Sequence, residues 1–288
     1  MEHQLWKEIV LLLKQIHKRP RRARERFGCE EIVLVWFWGV IHDRPVSWAI
    51  QKRNWPCHER RRKLPSSTTM SRRLRSPQVQ RLIELIEERT LRSCDQQSLY
   101  WMIDGKPLLI GNCSKDRQAG YGRAGRGKGK GYKLHVICGM DRSIPAWRIA
   151  PMNKDEKVMA RRLVKAARIQ GDLVGDGNYD SNPLHEVCAQ KKALQLVAPP
   201  RGGTGRGHRR KAQTPGRTRV ITLLENPQSH FGRALLRDRD EIERQFGNLS
   251  NWGGGLTHLP PWVRTHRRVH RWVQAKLILN ALKRSWKI

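Results

Sequence analysis

The chain has 288 residues, and 58 lysines and arginines against 25 acidic residues give it a formal net charge of +33. The length suits one sizeable domain with a smaller one, and a hydrophobic content of 38% that includes 11 tryptophans can build a core. A positive charge of this size predicts a polyanionic partner: nucleic acid first, an anionic membrane surface second, and a ribosomal or packaging role third.

Cysteine spacing and hydropathy exclude several other classes. The 6 cysteines contain no Cys-x-x-Cys pair, so neither a zinc ribbon nor a disulfide framework is indicated, and reduced thiols are expected. The longest apolar run, 32–41, is about half the length needed to span a bilayer, and the run at 9–13 is too short for a signal peptide. We therefore expect a soluble cytoplasmic protein, associated with the nucleoid and without a membrane partner.

Residues 1–95 are predicted to form a helical DNA-binding region, because apolar residues recur there at helical spacing. One expected helix, over 68–75, is polar, basic and rich in hydroxyl groups, with Ser67 or Thr68 as its cap. Such a helix suits the major groove of double-stranded DNA, and a solvated connecting helix is the alternative. The other helices are predicted over 4–17, 30–42, 45–53 and 78–89, and the expected DNA contacts are Thr69, Arg72, Arg73 and Arg75.

The stretch YWMIDGKPLLI, residues 100–110, has the composition of a buried β-strand, since aromatic and β-branched residues fill it. In its middle stands one carboxylate, Asp104, which is costly to bury unless a cation lies beside it. The Asp-Gly pair at 104–105 is also a hairpin-turn signal, so this stretch alone leaves a turn and a functional site equally open.

The glycine-rich segment 111–131 is predicted to be a flexible basic loop. Residues 122–128 nearly match a nucleotide-binding P-loop, but Gly129 stands where a serine or threonine should bind magnesium. We therefore reject that motif and interpret the segment as a loop that lies along a DNA backbone, with Lys128 and Lys130 as contacts.

The rest of the chain alternates predicted strands and helices, which indicates an α/β fold. Residues 200–219 are basic, contain glycine and proline and lack an acid, which predicts a flexible basic loop. His266 and His270 have the spacing of helical metal ligands, but they stand among arginines and are interpreted as a basic face. Strands are predicted over 132–139, 144–150, 172–175 and 194–198, and helices over 153–170, 182–192, 231–250 and 266–283.

Two further acids occur at places that match Asp104. Asp176 follows the strand predicted over 172–175, and Glu243 lies on a predicted helix four residues after Arg239. Functional groups of an α/β sheet collect outside the carboxyl ends of its strands, where a covering helix can present a third acid. Three converging carboxylates require a cation, and oxygen-only ligands select Mg²⁺ or Mn²⁺, of which two ions together support phosphodiester chemistry.

Each of these acids has a structural alternative. Asp176 could be only a turn residue, although Asp172 and Asp180 are the acids to which we assign structural roles. Glu243 could be an ordinary helix-surface partner of Arg239. Its main competitor, Glu241, lies about 200° away around the helix.

In this order, the segments IDGKPL, VGDGNYDSNPL and RDEIERQFGNL resemble the Asp-Asp-Glu transposases of bacterial insertion sequences. The resemblance extends over residues 98–285. Arg239 and Glu243 keep the spacing of that family's Tyr-x2-Arg-x3-Glu-x6-Lys signature, whereas Leu236 and Ser250 stand at the Tyr and Lys positions.

The resemblance implies an RNase H-like catalytic domain over 96–288, a mixed sheet flanked by helices. Asp104, Asp176 and Glu243 would be the catalytic residues and metal ligands, and Arg239 and Arg244 would contact DNA. The implied activity is cleavage at the element's ends by metal-activated water, then attack of the freed 3′-hydroxyl on target DNA, in a homodimer or larger synaptic assembly. Two alternatives remain: a DNA-binding protein without catalysis, and a metal-dependent nuclease that does not rejoin DNA.

Overall fold

The structure, a computed structural model, divides the chain into two compact units. The first comprises Met1–Leu91, Leu249–Leu256 and Arg271–Ile288, and the second comprises Arg92–Asn248 and Thr257–His270. The residues that the structure describes are 1–16, 26–60, 62–92, 98, 100–111, 113–125, 127–191, 193–200, 213–226, 228, 230–251, 256 and 258–285.

The first unit is helical and is built around α2, whose residues from Ile32 to Ile41 are all buried. This helix is apolar on every side, which is the pattern of a central helix. Trp38 of α2 stacks on Trp55 at a ring separation of 4.8 Å, and Trp6 of α1 meets both rings edge-on at 5.3 Å. The elements of this unit are α1 (Glu2–Ile16), α2 (Cys29–Ile41), α3 (Val46–Ala49), α4 (Ser67–Arg73) and α5 (Pro77–Leu91), with single 3₁₀ turns at Lys52–Asn54 and Cys57–Glu59.

The second unit is organised around a six-stranded mixed sheet. Strand β1 lies at its centre, antiparallel to β3 on one side and parallel to β5 on the other. The strand order is β2-β3-β1-β5-β6, with β4 paired to β3. The strands are β1 (Tyr100–Leu109), β2 (Gly120–Ala124), β3 (Gly127–Gly139), β4 (Ala146–Pro151), β5 (Gly171–Val174) and β6 (Leu194–Val197).

Helices flank this sheet, so the mixed α/β architecture expected from the sequence is confirmed. Trp101 and Ile103 of β1 share one core cluster with Leu163 of α6 and Leu184 of α7. None of the described helices is long and apolar enough to cross a membrane. The remaining helices are α6 (Glu156–Ala166), α7 (Asn182–Ala189), α8 (Pro215–Glu225), α9 (Phe231–Asp238), α10 (Asp240–Asn251) and α11 (His266–Ser285).

The glycine-rich segment 111–131 was predicted to be a flexible loop. From Gly120 onward it instead contributes β2 and the start of β3, which pair as a hairpin. Its glycines serve close strand contacts: a Cβ added at Gly131 would lie 2.2 Å from the Leu108 carbonyl oxygen, and one at Gly129 would lie 2.6 Å from Leu109 Cδ2. The loop was predicted because glycine normally weakens a strand. At Gly131, however, the backbone of the neighbouring strand β1 leaves no room for a side chain, so glycine is required there.

Three other predicted elements need correction. The helix expected over 231–250 is divided at Arg239 into α9 and α10. The basic loop expected over 200–219 gives way to α8 at Pro215, and its residues 201–212 lie outside the described part of the chain. Helix α4 is capped by Ser66, whose side chain accepts a hydrogen bond from the Thr69 N–H, and not by Ser67 or Thr68.

The C-terminal part of the chain also divides differently from the predicted domain boundary. Residues 96–288 were predicted to form one catalytic domain, whereas Arg271–Ile288 belongs to the first unit. Its polar contacts there include Lys276 Nζ, which donates to the Val40 carbonyl at 3.1 Å and to Asp43 Oδ1 at 2.5 Å. Hydrophobic periodicity predicts a helix but does not reveal which neighbours it packs against.

Candidate active site

Asp104 lies within β1, and the strand continues through Gly105 as far as Leu109, so the Asp-Gly pair is not a turn. Side chains alternate between the two faces of a strand. Trp101 and Ile103 point to the core on one face, and Asp104 lies on the other face together with Tyr100 and Lys106.

Tyr100 and Lys106, on the same face of β1 as Asp104, contact helices α9 and α10. The Tyr100 hydroxyl donates to Asp238 Oδ2 at 2.9 Å, and Lys106 Nζ lies 5.9 Å from the centre of the Phe246 ring. This face of β1 is therefore covered by the segment that carries Arg239 and Glu243.

Among the described residues, no cationic side chain forms an ion pair with the Asp104 carboxylate. Its Oδ1 accepts one hydrogen bond, from the Gly105 N–H at 2.7 Å. Burial first, and then the nearby carboxylates of Asp176 and Glu156, raise the pKa of Asp104. The Gly105 hydrogen bond and the charge of Arg239 lower it, and the resulting pKa is about 6. A bound cation would relieve this cost, because it favours the ionised form.

Asp176 follows β5, the parallel neighbour of β1, so the two acids lie near the same part of the sheet. The Asp176 side chain accepts hydrogen bonds from the Asn178 N–H at 2.9 Å and from Asn178 Nδ2 at 3.3 Å. Its carbonyl oxygen accepts from the Tyr179 N–H at 3.0 Å. These bonds close a tight turn that holds Asp176 at the end of the strand.

Gly175 allows this turn to pack against the core. A Cβ at Gly175 would lie 3.0 Å from Tyr179 Cδ2 and 3.2 Å from Ile103 Cγ2. Tyr179 itself is fully buried, and its hydroxyl has no hydrogen-bond partner among the described residues. Burial first, and then the charges of Asp104, Glu156 and Asp176, raise the pKa of Tyr179.

Asp180 has the structural surroundings that the sequence analysis expected of it. Arg217 Nε and Nη2 donate to its two carboxylate oxygens at 2.7 and 2.6 Å, and His185 Nε2 lies 3.5 Å from Oδ1. Despite burial, these partners lower the pKa of Asp180 to about 2. Asp172, in contrast, has its pKa raised by burial.

Glu243 does not join Asp104 and Asp176 in this structure. Its side chain is 66% exposed, and its Oε1 lies 3.9 Å from Arg239 Nη2. The competing acid Glu241 is paired with Arg142 at 3.4 Å and with Arg244 at 3.2 Å. Among the described residues, no group of three or more His, Cys, Asp or Glu side chains is arranged to hold a metal ion.

Glu156 is an acid near Asp104 that the sequence analysis did not select. It is the first residue of α6, and its carboxylate pairs with Lys133 of β3. It follows Asp155, the actual cap, whose Oδ1 accepts from the Val158 N–H at 2.9 Å. In the sequence, Glu156 stands near the start of the helix predicted over 153–170, and nothing there indicates that it approaches Asp104.

The Asp104 and Asp176 carboxylates fit a hard divalent cation. Both offer oxygen donors only, and burial first, then the charge of the nearby Asp176 carboxylate, raises the pKa of Asp104. Of the histidine pair, His266 Nε2 lies 2.9 Å from the Ile149 carbonyl oxygen, and His270 stacks on Trp147 at 4.6 Å.

In the first unit, three of the predicted DNA contacts belong to one surface feature. Thr69, Arg72 and Arg73 line a cleft of about 650 Å³ together with Arg26 and Phe27. Arg75, the fourth predicted contact, donates from Nε to the Ser71 carbonyl at 2.9 Å.

The predicted contacts in the second unit have varied surroundings. Lys128 is exposed in β3, whereas Lys130 Nζ donates to the Ser114 carbonyl at 2.6 Å and lies 5.8 Å from the Tyr121 ring. Arg244 is 71% exposed although it pairs with Glu241.

Comparison with known protein families gives a match over much of the chain. The profile of the family described as transposase DDE domain matches residues 86–280, which is more than half of the chain and includes Asp104, Asp176 and Glu243. A comparison with curated proteins found no match. The chain therefore belongs to the transposase DDE domain family, whose members typically use a divalent metal.

Proposed function

We propose that this protein is an insertion-sequence transposase that cuts DNA at the element's ends and joins the freed ends to target DNA. The observation that carries the proposal is the pair Asp104 and Asp176 on adjacent parallel strands, with the pKa of Asp104 raised to about 6. The family assignment supports transposase chemistry in general, and a net charge of +33 supports DNA as the partner.

Each acid has a distinct role in this proposal. Asp104 and Asp176 would hold Mg²⁺ or Mn²⁺, two ions per site, and Glu243 would complete the ligand set. The metal ions, when bound, lower the pKa of an attacking water and neutralise charge that develops on the leaving oxygen. Arg239 is linked to both acids, since its charge lowers the pKa of Asp104 and it pairs with Glu243.

The first unit would supply recognition of the ends. A cleft lined by Arg26, Arg72 and Arg73 beside Thr69 offers positive charge and hydroxyl groups to double-stranded DNA. Lys128, Lys130 and Arg244 would add backbone contacts from the second unit. Because two ends must be cut and joined, the working form would be a homodimer or larger assembly, in the cytoplasm on nucleoid DNA.

The proposal is tested with DNA that contains the element's ends, a target plasmid and Mg²⁺. Wild-type protein should cut the ends and produce joined products, whereas Asp104→Ala, Asp176→Ala and Glu243→Ala should bind the same DNA without cutting it. Asp172→Asn is the matched control, because this acid lies on β5 four residues before Asp176.

The outcomes separate the three candidate functions. Specific binding without cleavage in Mg²⁺ or Mn²⁺ would identify a DNA-binding protein without catalysis. Cleavage without joined product would identify a nuclease. If Asp172→Asn lost activity as completely as Asp104→Ala, the assignment of ligands would be wrong.

A further inference from the structure

Lys106 is a cation on the same face of β1 as Asp104. The two residues are two positions apart in a regular strand, so their Cα atoms are separated by about 6.5–7 Å and their side chains leave the sheet in the same direction. The Lys106 side chain is partly buried, and its ammonium group lies 5.9 Å from the centre of the Phe246 ring on α10.

The ammonium group of Lys106 has no oxygen partner among the described residues, unlike other partly buried lysines of the second unit. Lys133 pairs with Glu156, Lys130 donates to the Ser114 carbonyl, and Lys191 donates to the Ala167 carbonyl at 2.6 Å. A partly desolvated ammonium group that contacts only an aromatic ring has lost hydration without gaining an anion. This arrangement leaves its positive charge available to an anionic ligand.

We propose that Lys106 binds a backbone phosphate of the DNA strand that is cut at Asp104. This inference rests on the proposed function, because it takes DNA as the substrate of that site. The anion must approach the face of β1 that carries both side chains, and a phosphodiester is the one anion that the proposed reaction brings there.

Two arginines of the segment that covers this face are other candidates for a phosphate contact. Arg239 and Arg244 are each already paired with a glutamate. Lys106 differs from both arginines because it forms no ion pair with a carboxylate among the described residues.

The test replaces Lys106 by methionine, which keeps the length of the side chain and removes its charge. The dissociation constant of end-containing DNA is measured from 50 to 200 mM salt, with cleavage followed in parallel. Lys106→Met should weaken binding or cleavage roughly ten- to hundredfold and should reduce the slope of log K against log salt by about 0.9, the value for one phosphate contact. Lys106→Arg should restore most of the affinity.

A matched control is Lys165→Met, which removes an exposed charge from α6, a helix that packs on the other face of the sheet. A second arm uses DNA with a single neutral methylphosphonate, moved through the positions around the cut. At one position it should weaken wild-type binding about tenfold and leave the binding of Lys106→Met unchanged.

The two proposals can fail separately. If wild-type protein binds ends but never cuts them, the proposed function fails, while the salt slope and the methylphosphonate scan still decide whether Lys106 contacts a phosphate. If Lys106→Met and Lys165→Met give the same slope and no methylphosphonate position distinguishes Lys106→Met from wild type, the phosphate contact is refuted. A loss of affinity with an unfolded circular dichroism spectrum is resolved by Lys106→Arg, which must then fold and bind.

Discussion

Asp104 and Asp180 are two acids of the same unit with opposite surroundings. Asp180 is 8% exposed and receives two hydrogen bonds from one arginine, which lower its pKa to about 2. Asp104 accepts one backbone hydrogen bond and lies near two other carboxylates, and its pKa is raised to about 6. The chain neutralises the acid that holds its structure and leaves the other acid short of positive charge.

This difference indicates where a ligand is required. A buried ion pair such as Asp180 with Arg217 is complete without any additional group. An acid with a raised pKa in a protein of net charge +33 is not explained by a shortage of basic residues, since 58 lysines and arginines are present. This contrast is the basis of our proposal that Asp104 binds a metal ion from outside the chain.

The largest expected effect is on catalysis by Asp104→Asn. This change removes a proposed metal ligand while it keeps the shape of the side chain, so Mg²⁺-dependent cleavage should fall about a thousandfold or more. The measurement is single-turnover cleavage of end-containing DNA, with affinity for the same DNA determined separately. Equal cleavage by Asp104→Asn and wild type would remove Asp104 from the active site.

The next effect is on stability through Arg217→Ala. Removing this arginine leaves the buried Asp180 carboxylate without its bidentate partner, which should lower the free energy of unfolding by about 3–5 kcal/mol. Urea denaturation followed by tryptophan fluorescence measures it. The matched control is Arg219→Ala, an exposed arginine on the same helix α8, for which a change within about 0.5 kcal/mol is expected. Similar losses in both variants would contradict a specific role for the Asp180 pair.

The pH dependence of stability should differ in sign between the two acids. The folded-state pKa of Asp104 lies above its ordinary value of 3.8, so ionisation as the pH rises through about 6 should cost about 2–3 kcal/mol in metal-free protein. Asp180, with its pKa lowered to about 2, stabilises the fold above its ordinary pKa and loses that contribution as the pH falls towards 2.

Thermal unfolding in EDTA from pH 4 to pH 8 tests the Asp104 part of this prediction. Wild type should lose stability across the interval relative to Asp104→Asn, and Mg²⁺ at pH 8 should restore stability to wild type more than to the variant. If the difference between wild type and Asp104→Asn does not change with pH, the Asp104 carboxyl does not have a raised pKa.

The smallest expected effect concerns Glu156→Gln. This change removes one negative charge near Asp104, so the pKa of Asp104 should fall by less than about one unit, and the loss of the Lys133 pair should cost about 1 kcal/mol. The shift of the pH midpoint in the same EDTA experiment measures it. Glu186→Gln, an exposed acid on α7, is the control and should leave the midpoint unchanged. A thousandfold loss of cleavage in Glu156→Gln would instead make Glu156 a metal ligand.

Predictions that depended on local pattern agree with the structure. Aromatic and β-branched residues around Asp104 predicted a strand, which β1 confirms, and helical spacing predicted α2 and α5 to within a few residues. The predictions failed where a distant residue decides the conformation. Gly131 lies in a strand because the Leu108 backbone approaches it, and no feature of the local sequence shows that approach.

At the candidate site, too, local sequence patterns predicted some residues, and only the tertiary structure revealed others. Asp104 and Asp176 could be paired in advance because both follow from strand patterns, and parallel neighbours place their carboxyl ends together. Glu243 was predicted from its spacing to Arg239, and the structure shows that ion pair but not its convergence with the two aspartates. Glu156 was missed because its approach to Asp104 depends on how α6 packs on the sheet.

By itself, the sequence determined the charge that predicts a polyanionic partner, the order of most strands and helices, and the places of Asp104 within one strand and Asp176 just after another. These properties follow from composition and from periods of two and 3.6 residues, which act over short stretches of chain. Only the tertiary structure decided which acid is neutralised and which is not. Arg217 reaches Asp180 from 37 positions along the chain, whereas Asp104 is left with like charges, and burial turns that difference into opposite pKa shifts.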